Sequence, residues 1–132
     1  DQEREVLVTR ARIDPHEPEI FRRLIEIDQT RADDEAIRNS CLALLHIHPN
    51  SQSVLETLAT CAEHLESHQE AIDALESLLA LDPLDPAEVH YRLANAYRNQ
   101  QQGGEMAKRH CLMALEESPR YEKALRLLLE LQ

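Results

Sequence analysis

Glycine is nearly absent from these 132 residues. Only Gly103 and Gly104 occur, side by side, so neither a phosphate-cradling loop nor a dinucleotide fingerprint can be built. Tryptophan is missing, aromatics make up 3% of the chain and valine is scarce, which starves β-structure, while Ala, Leu and Glu abound. The composition is all-α. The longest apolar runs, Leu78 to Leu81 and Leu127 to Leu129, are far too short to span a bilayer. Basic residues are also few: 14 Lys and Arg against 25 Asp and Glu give a net charge of −11. Such a surface repels phosphate, which argues against nucleic acid and anionic membranes as partners. No basic segment followed by an apolar one opens the chain, so no signal peptide is read. The three cysteines, Cys41, Cys61 and Cys111, are widely spaced, cannot all pair, and are expected to be buried thiols. A length of 132 residues holds one domain or one stretch of a repeat array, not a two-domain enzyme. Because the first residue is Asp1, the chain is expected to be a piece of a longer one. The compartment stays open, with the cytoplasm favoured.

Proline supplies the organisation. Pro15, Pro49 and Pro83 recur every 34 residues, and Pro119 follows 36 later. A proline stops a helix at or before the preceding residue, so each ends the same element of one supersecondary unit. Between the prolines, apolar positions follow the helical period, as in Ala71, Leu75, Leu78 and Leu79. Helix starts are marked as well. Asp85-Pro86-Ala87-Glu88 reads as an N-cap, a proline in the first turn and a carboxylate three residues after the cap. Ser67-His68-Gln69-Glu70 reads as a second capping box.

Two copies carry a common pattern. One has Leu93, Ala94 and Tyr97 on its first helix, then Ala107, Cys111, Ala114 and Pro119. The other has Leu58, Ala59 and Ala62, then Ala71, Leu75, Leu78 and Pro83. With the 34-residue period, these positions resemble the tetratricopeptide repeat, in which small residues meet across a helix hairpin and larger ones fill the space beside them. The resemblance covers nearly the whole chain. It implies a right-handed α-solenoid of stacked antiparallel hairpins forming one array. Residues 1–15 would be the second helix of a preceding repeat, and 16–49, 50–83 and 84–119 full repeats. Residues 120–132 would be the first helix of a further repeat, or a cap. The copy over 16–49 departs from the pattern. Ile25 and Ile37 stand where small residues are expected in the ungapped register, and placing Ala36 there needs a shorter turn near Ala32. Both registers stay open. The copy over 84–119 has two additions, Pro86 and a longer hairpin turn over 100–104.

Candidate chemistry is thin. No Ser/His/Asp set has a telling context, and runs such as Asp33-Asp34-Glu35 read as helix starts favoured by the dipole. Cys61, His64 and His68 have the spacing of metal ligands, and His46 and His48 form another pair. Cys61, however, falls on a core position, so no metal, cofactor or catalytic residue is expected. What remains is the surface that the resemblance assigns to ligands, the outward positions of the first helices. These are Arg22, Glu26, Glu56, Thr60, Tyr91, Asn95 and Arg98, of which Tyr91, Asn95 and Arg98 form one helical stripe. The family's clamp for chaperone carboxylate tails is disfavoured. Arg92 and Arg22 could fill basic places, but Glu26 and Thr57 stand where it would want Asn, and Glu88 where it would want Lys. The expected function is a non-catalytic scaffold that binds a peptide or protein of basic character on its concave face. The alternative is a structural spacer or regulatory segment of a larger multidomain enzyme or envelope protein. On the last helix, Leu125, Leu128 and Leu129 are expected to pack inward and Leu127 to lie uncovered, giving a weak homodimer through that helix.

Overall fold

Each proline of the periodic series lies two or three residues beyond a helix end in the computed structural model, which describes residues 2–132. Among the described residues there are eight α-helices and no strand. They fall into two units, the first running to Leu65 and the second spanning Glu66–Gln132. The first holds α1 (Gln2–Ile13), α2 (Pro18–Thr30), α3 (Asp34–Ile47) and α4 (Gln52–His64). The second holds α5 (His68–Ala80), α6 (Pro86–Arg98), α7 (Gly104–Glu117) and α8 (Glu122–Leu131). Within each unit every helix packs on its neighbour in the chain, and α6 also meets α8. Such packing between near neighbours in the chain is how repeat architectures bury apolar faces that no single hairpin could bury alone.

Local chemistry sets the helix starts. Asp33 accepts a hydrogen bond from the Ala36 amide at 3.2 Å, and Asp85 accepts one from the Glu88 amide at 3.2 Å, with Pro86 in the first turn. Ser67 occupies the N-cap of α5 but does not accept from that helix. Its hydroxyl donates instead to the Glu70 carboxylate at 2.8 Å, so the two side chains meet each other and Ser67 does not make its part of the expected capping box. The turns into α3, α5 and α7 share a feature that the sequence conceals. Ala32, Glu66 and Gln102, each just before the helix cap, adopt left-handed backbone with φ of 53°, 56° and 61°. Glycine normally fills such places. The longer turn before α7 uses its glycine otherwise. A Cβ on Gly103 would sit 1.9 Å from the Tyr97 carbonyl oxygen, so this position requires the close approach that only glycine permits.

The register of the 16–49 copy is now fixed. The amides of Ile37, Ala71 and Ala107 each donate to the carbonyl of their helix cap, Asp33, Ser67 and Gly103. These three positions are therefore equivalent, and Ile37 and Ala71 stand 34 residues apart with no gap between them. Ile37 is buried where the other copies carry alanine, and Ala36 is only partly covered.

In the first unit the core is built from Ile20, Leu24, Ile27, Cys41, Leu44 and Leu58. Asp28 is buried among them at 1% exposure, and its Oδ1 accepts from Arg4 Nε at 2.7 Å and Arg31 Nη1 at 2.8 Å. This bridge ties α1 to α2. In the second unit Leu75, Leu93, Ala107 and Ala114 are fully enclosed, and Ala94, Cys111 and Leu127 form a cluster on which Tyr91, Leu128 and Leu131 pack. Leu127 therefore contradicts expectation. It is buried at 4% exposure, whereas Leu129 is 74% exposed and Leu125 42%. The inward stripe of α8 is Ala124, Leu127, Leu128 and Leu131, spaced i, i+3, i+4, i+7. The small Ala124 sets the close approach, and reading the stripe from the larger Leu125 shifted it by one residue. The self-association expected of this helix therefore cannot rest on Leu127, which is buried.

Candidate binding surface

The positions singled out from the sequence fall in both units. In the first, α4 turns Glu56, Thr57, Thr60, Cys61 and His64 toward the turn between α2 and α3. The opposite wall is formed by Gln29, Ala32, Asp34 and Ile37. Together they enclose a hollow of about 370 Å³, near the low end of the range for small-ligand sites. Its floor is apolar, made by the buried Ile37 and Cys61. Its rim is polar and carries Asp34 and Glu56, with no Lys or Arg in the lining. Helical spacing explains the arrangement: positions 56, 57, 60, 61 and 64 recur as i, i+1, i+4, i+5 and i+8 and share one face of α4.

Asp34 is the electrostatic centre of this hollow. Its carboxylate accepts from the Cys61 thiol and stands 3.4 Å from His64 Nδ1. Burial, and then the adjacent Asp34 charge and hydrogen bond, push the Cys61 thiol up to about 11. Cys61 is thus a protonated donor at neutral pH and not a nucleophile. Burial similarly raises Cys41 to about 12 and lifts Cys111. All three cysteines are free and buried. No group of three His, Cys, Asp or Glu among the described residues is placed to hold a metal ion, and no helix there is long and apolar enough to cross a membrane.

Two further positions of the first unit are exposed on α2. Arg22 pairs with Glu19 and borders a second, shallower hollow of about 440 Å³ with His48, Asn50 and Ser51. Glu26 accepts from Arg23 at 2.8 Å, and Arg23 also grips Glu3.

In the second unit the stripe of Tyr91, Asn95 and Arg98 runs along α6, but α8 lies beside it. Tyr91 is half-buried against Leu127's cluster. Its ring lies 5.9 Å from that of Tyr121, and Lys123 Nζ stands 5.9 Å from its centre. Arg98 donates to Glu130 at 2.7 Å. Asn95 is exposed, and its backbone carbonyl accepts from the Asn99 side chain. Two of the three stripe residues therefore help to dock α8.

Sequence reasoning missed one polar cluster altogether. His90 and His110 are buried, and their Nδ1 atoms lie 3.0 Å apart, so one ring donates to the other. Tyr97 stacks on His110 at 5.5 Å and donates its hydroxyl to Glu76 at 2.7 Å. Burial, above all, depresses both imidazoles, and for His110 the neighbouring His90 adds to the effect. Burial and the Glu76 carboxylate push the Tyr97 hydroxyl up to about 12. The signal lay in the apolar period: Ala87, His90 and Ala94 share a face of α6, as Ala107, His110 and Ala114 share one of α7.

No protein-family model matches the chain, and no curated protein matches it. Solved structures do. The crystal structure of MamA is 17% identical at a TM-score of 0.75, covering 97% of this chain and 74% of MamA. The first tetratricopeptide-repeat domain of Spaghetti (RPAP3), bound to an HSP90 peptide, is 16% identical at a TM-score of 0.68, covering 89% of this chain and 92% of that one. The Cut9-Hcn1 assembly of the APC/C is 22% identical at a TM-score of 0.69, over 96% of this chain and 25% of that one. Helix order, repeat period and these likenesses agree: the chain has the tetratricopeptide-repeat fold.

Proposed function

We propose that this chain is a non-catalytic scaffold that binds a peptide or an exposed protein segment. The observation that carries this reading is the polar-rimmed, apolar-floored hollow on α4, which contains Glu56 and Thr60 among its walls. The RPAP3 domain, which shares the fold, holds an HSP90 peptide of sequence SRMEEVD. An acidic tail of that kind suits this chain poorly, because its hollow carries carboxylates and its net charge is −11. A basic partner, drawn in at long range and weakened by salt, fits better. A second reading has one observation behind it. The chain is also similar to part of the Thermobaculum terrenum O-GlcNAc transferase, 24% identical at a TM-score of 0.63 and covering 22% of that protein. A segment serving a larger enzyme is therefore the competing reading.

Selection of displayed random peptides on the purified protein separates the two. The scaffold reading expects recovered peptides to bind saturably. Replacing Glu56 and Thr60 together by Ala should weaken binding about tenfold, roughly 1.4 kcal/mol. Asn39→Ala, on the exposed side of α3, should leave it unchanged. Recovery of no saturable peptide, or loss only with Asn39→Ala, overturns the reading.

A further inference from the structure

The first helix is held by charge more than by packing. Leu7 is the only buried residue of α1, while Val6 and Ile13 are 57% and 78% exposed. The neighbouring α2, by contrast, buries Ile20, Phe21, Leu24 and Ile27. What joins the two helices is a set of ion pairs. Arg4 Nε donates to Asp28 at 2.7 Å, Arg23 donates to both oxygens of Glu3 at 2.7 and 3.0 Å, and Arg10 stands 3.5 Å from Glu17. Solvent reaches these pairs, since Glu3 and Arg23 are both half-exposed and Arg4 is only partly covered. The charges that receive α1 each have a second partner on α2 or at its end. Asp28 also accepts from Arg31 at 2.8 Å, and Arg23 also donates to Glu26 at 2.8 Å. Breaking a buried ion pair costs most when it strands a charge. Here, lifting α1 away leaves Asp28 with Arg31 and Arg23 with Glu26. Release is resisted only by the burial of one leucine and by ion pairs of the kind that salt screens.

We infer that α1 is a salt-governed strap, which undocks from α2 as a unit when ionic strength rises while α2, α3 and α4 stay folded. Undocking uncovers the seat of Leu7 and the side of Asp28 that Arg4 covers. Ionic strength thereby sets how much of α2 is open to solvent. The device stands apart from the peptide-binding reading and holds whether or not the α4 hollow receives a partner.

The test is native-state hydrogen exchange on the full chain of 132 residues, in 0.1 M and in 1 M NaCl. Between these conditions the screening length shortens from about 10 Å to about 3 Å. Amides of residues 6–13 should lose at least about fivefold in protection, and those of residues 38–47 less than about twofold. In 0.1 M salt Glu3→Gln, at an exposed position, should lower the protection of α1 at least about threefold and remove more than about half of its salt response. Leu7→Ala should also lower the protection of α1 but leave the salt response whole, because it removes packing and no charge. Ordinary fraying of a poorly packed helix gives low protection in α1 that neither salt nor Glu3→Gln moves, and that result overturns the inference. Equal losses in α1 and in residues 38–47 overturn it as well, because α1 would then open only with the rest of its unit.

Discussion

Leu127→Ala should destabilise the second unit, and chiefly its last helix, far more than the same change at its neighbour Leu129. Leu127 is packed on Ala94 and Cys111, neither of which has any exposed surface. Truncation to Ala removes three buried carbons, worth about 2.4 kcal/mol at ~0.8 kcal/mol each. A residual cavity raises the cost, and measured losses for buried Leu→Ala run from about 2 to 5 kcal/mol. Since α8 packs on α6 and α7 and has only ten residues, partial collapse should keep the loss near the lower end, about 2–3 kcal/mol. Native-state hydrogen exchange reads it directly. Amides of α8 should lose roughly 30- to 150-fold in protection, the equivalent of that free energy at ~1.4 kcal/mol per decade. Leu129→Ala should change protection by no more than about 0.5 kcal/mol. Equal effects at the two positions, or a loss below about 0.5 kcal/mol for Leu127→Ala, would refute the packing of α8 through Leu127.

Three other outcomes follow from the buried polar groups and the turns. The folded state holds His90 and His110 below the ordinary imidazole range, so unfolding binds protons. Stability is complete above the unfolded value of about 6.5 and falls as pH drops below it, by at most about 1.4 kcal/mol per pH unit for each proton. Urea titrations from pH 7.5 to 5 should show that slope and its reduction in His110→Phe; an unchanged slope would exclude the pair as its source. Removing both Arg4 and Arg31 leaves a 1%-exposed carboxylate at Asp28 without either guanidinium. The double Ala variant should therefore lose more stability than the sum of the two single variants, and strict additivity in denaturant titrations would show that the bridge does not act as a unit. Ala32→Gly and Gln102→Gly relieve left-handed strain and should each raise stability by about 0.5–1 kcal/mol; lower melting temperatures would mean that these turns carry no such strain.

Much of the fold could be read from residues that constrain the backbone. The prolines end helices because they lack an amide and clash with the preceding turn. Asp85 with Pro86 starts one because an acceptor is placed over free amides. These are local effects, and local sequence displays them. What stayed hidden depends on partners. Ile37 could not be assigned a register until its amide was seen to close on Asp33. Leu127 was misjudged because five leucines in seven residues leave the phase of the stripe undetermined, and a single alanine, Ala124, fixes it. The turn residues Ala32, Glu66 and Gln102 hide because their type argues against the conformation that the hairpin imposes. The surface fared unevenly for the same reason. Glu56 and Thr60 do line a hollow, but Asp34 and Ile37, from the first turn of α3, and Cys61, from a core position of α4, give it a charge and a floor. Tyr91 and Arg98 looked outward only while α8 was left out of consideration.

The central claim is that the hollow on α4 is where a partner chain engages. The most direct measurement is the affinity, by fluorescence anisotropy, of one display-selected peptide for the parent and for Thr60→Phe, with melting temperature recorded for both. The expected result is at least a tenfold loss of affinity with melting unchanged. Equal affinity for the two proteins would contradict the claim.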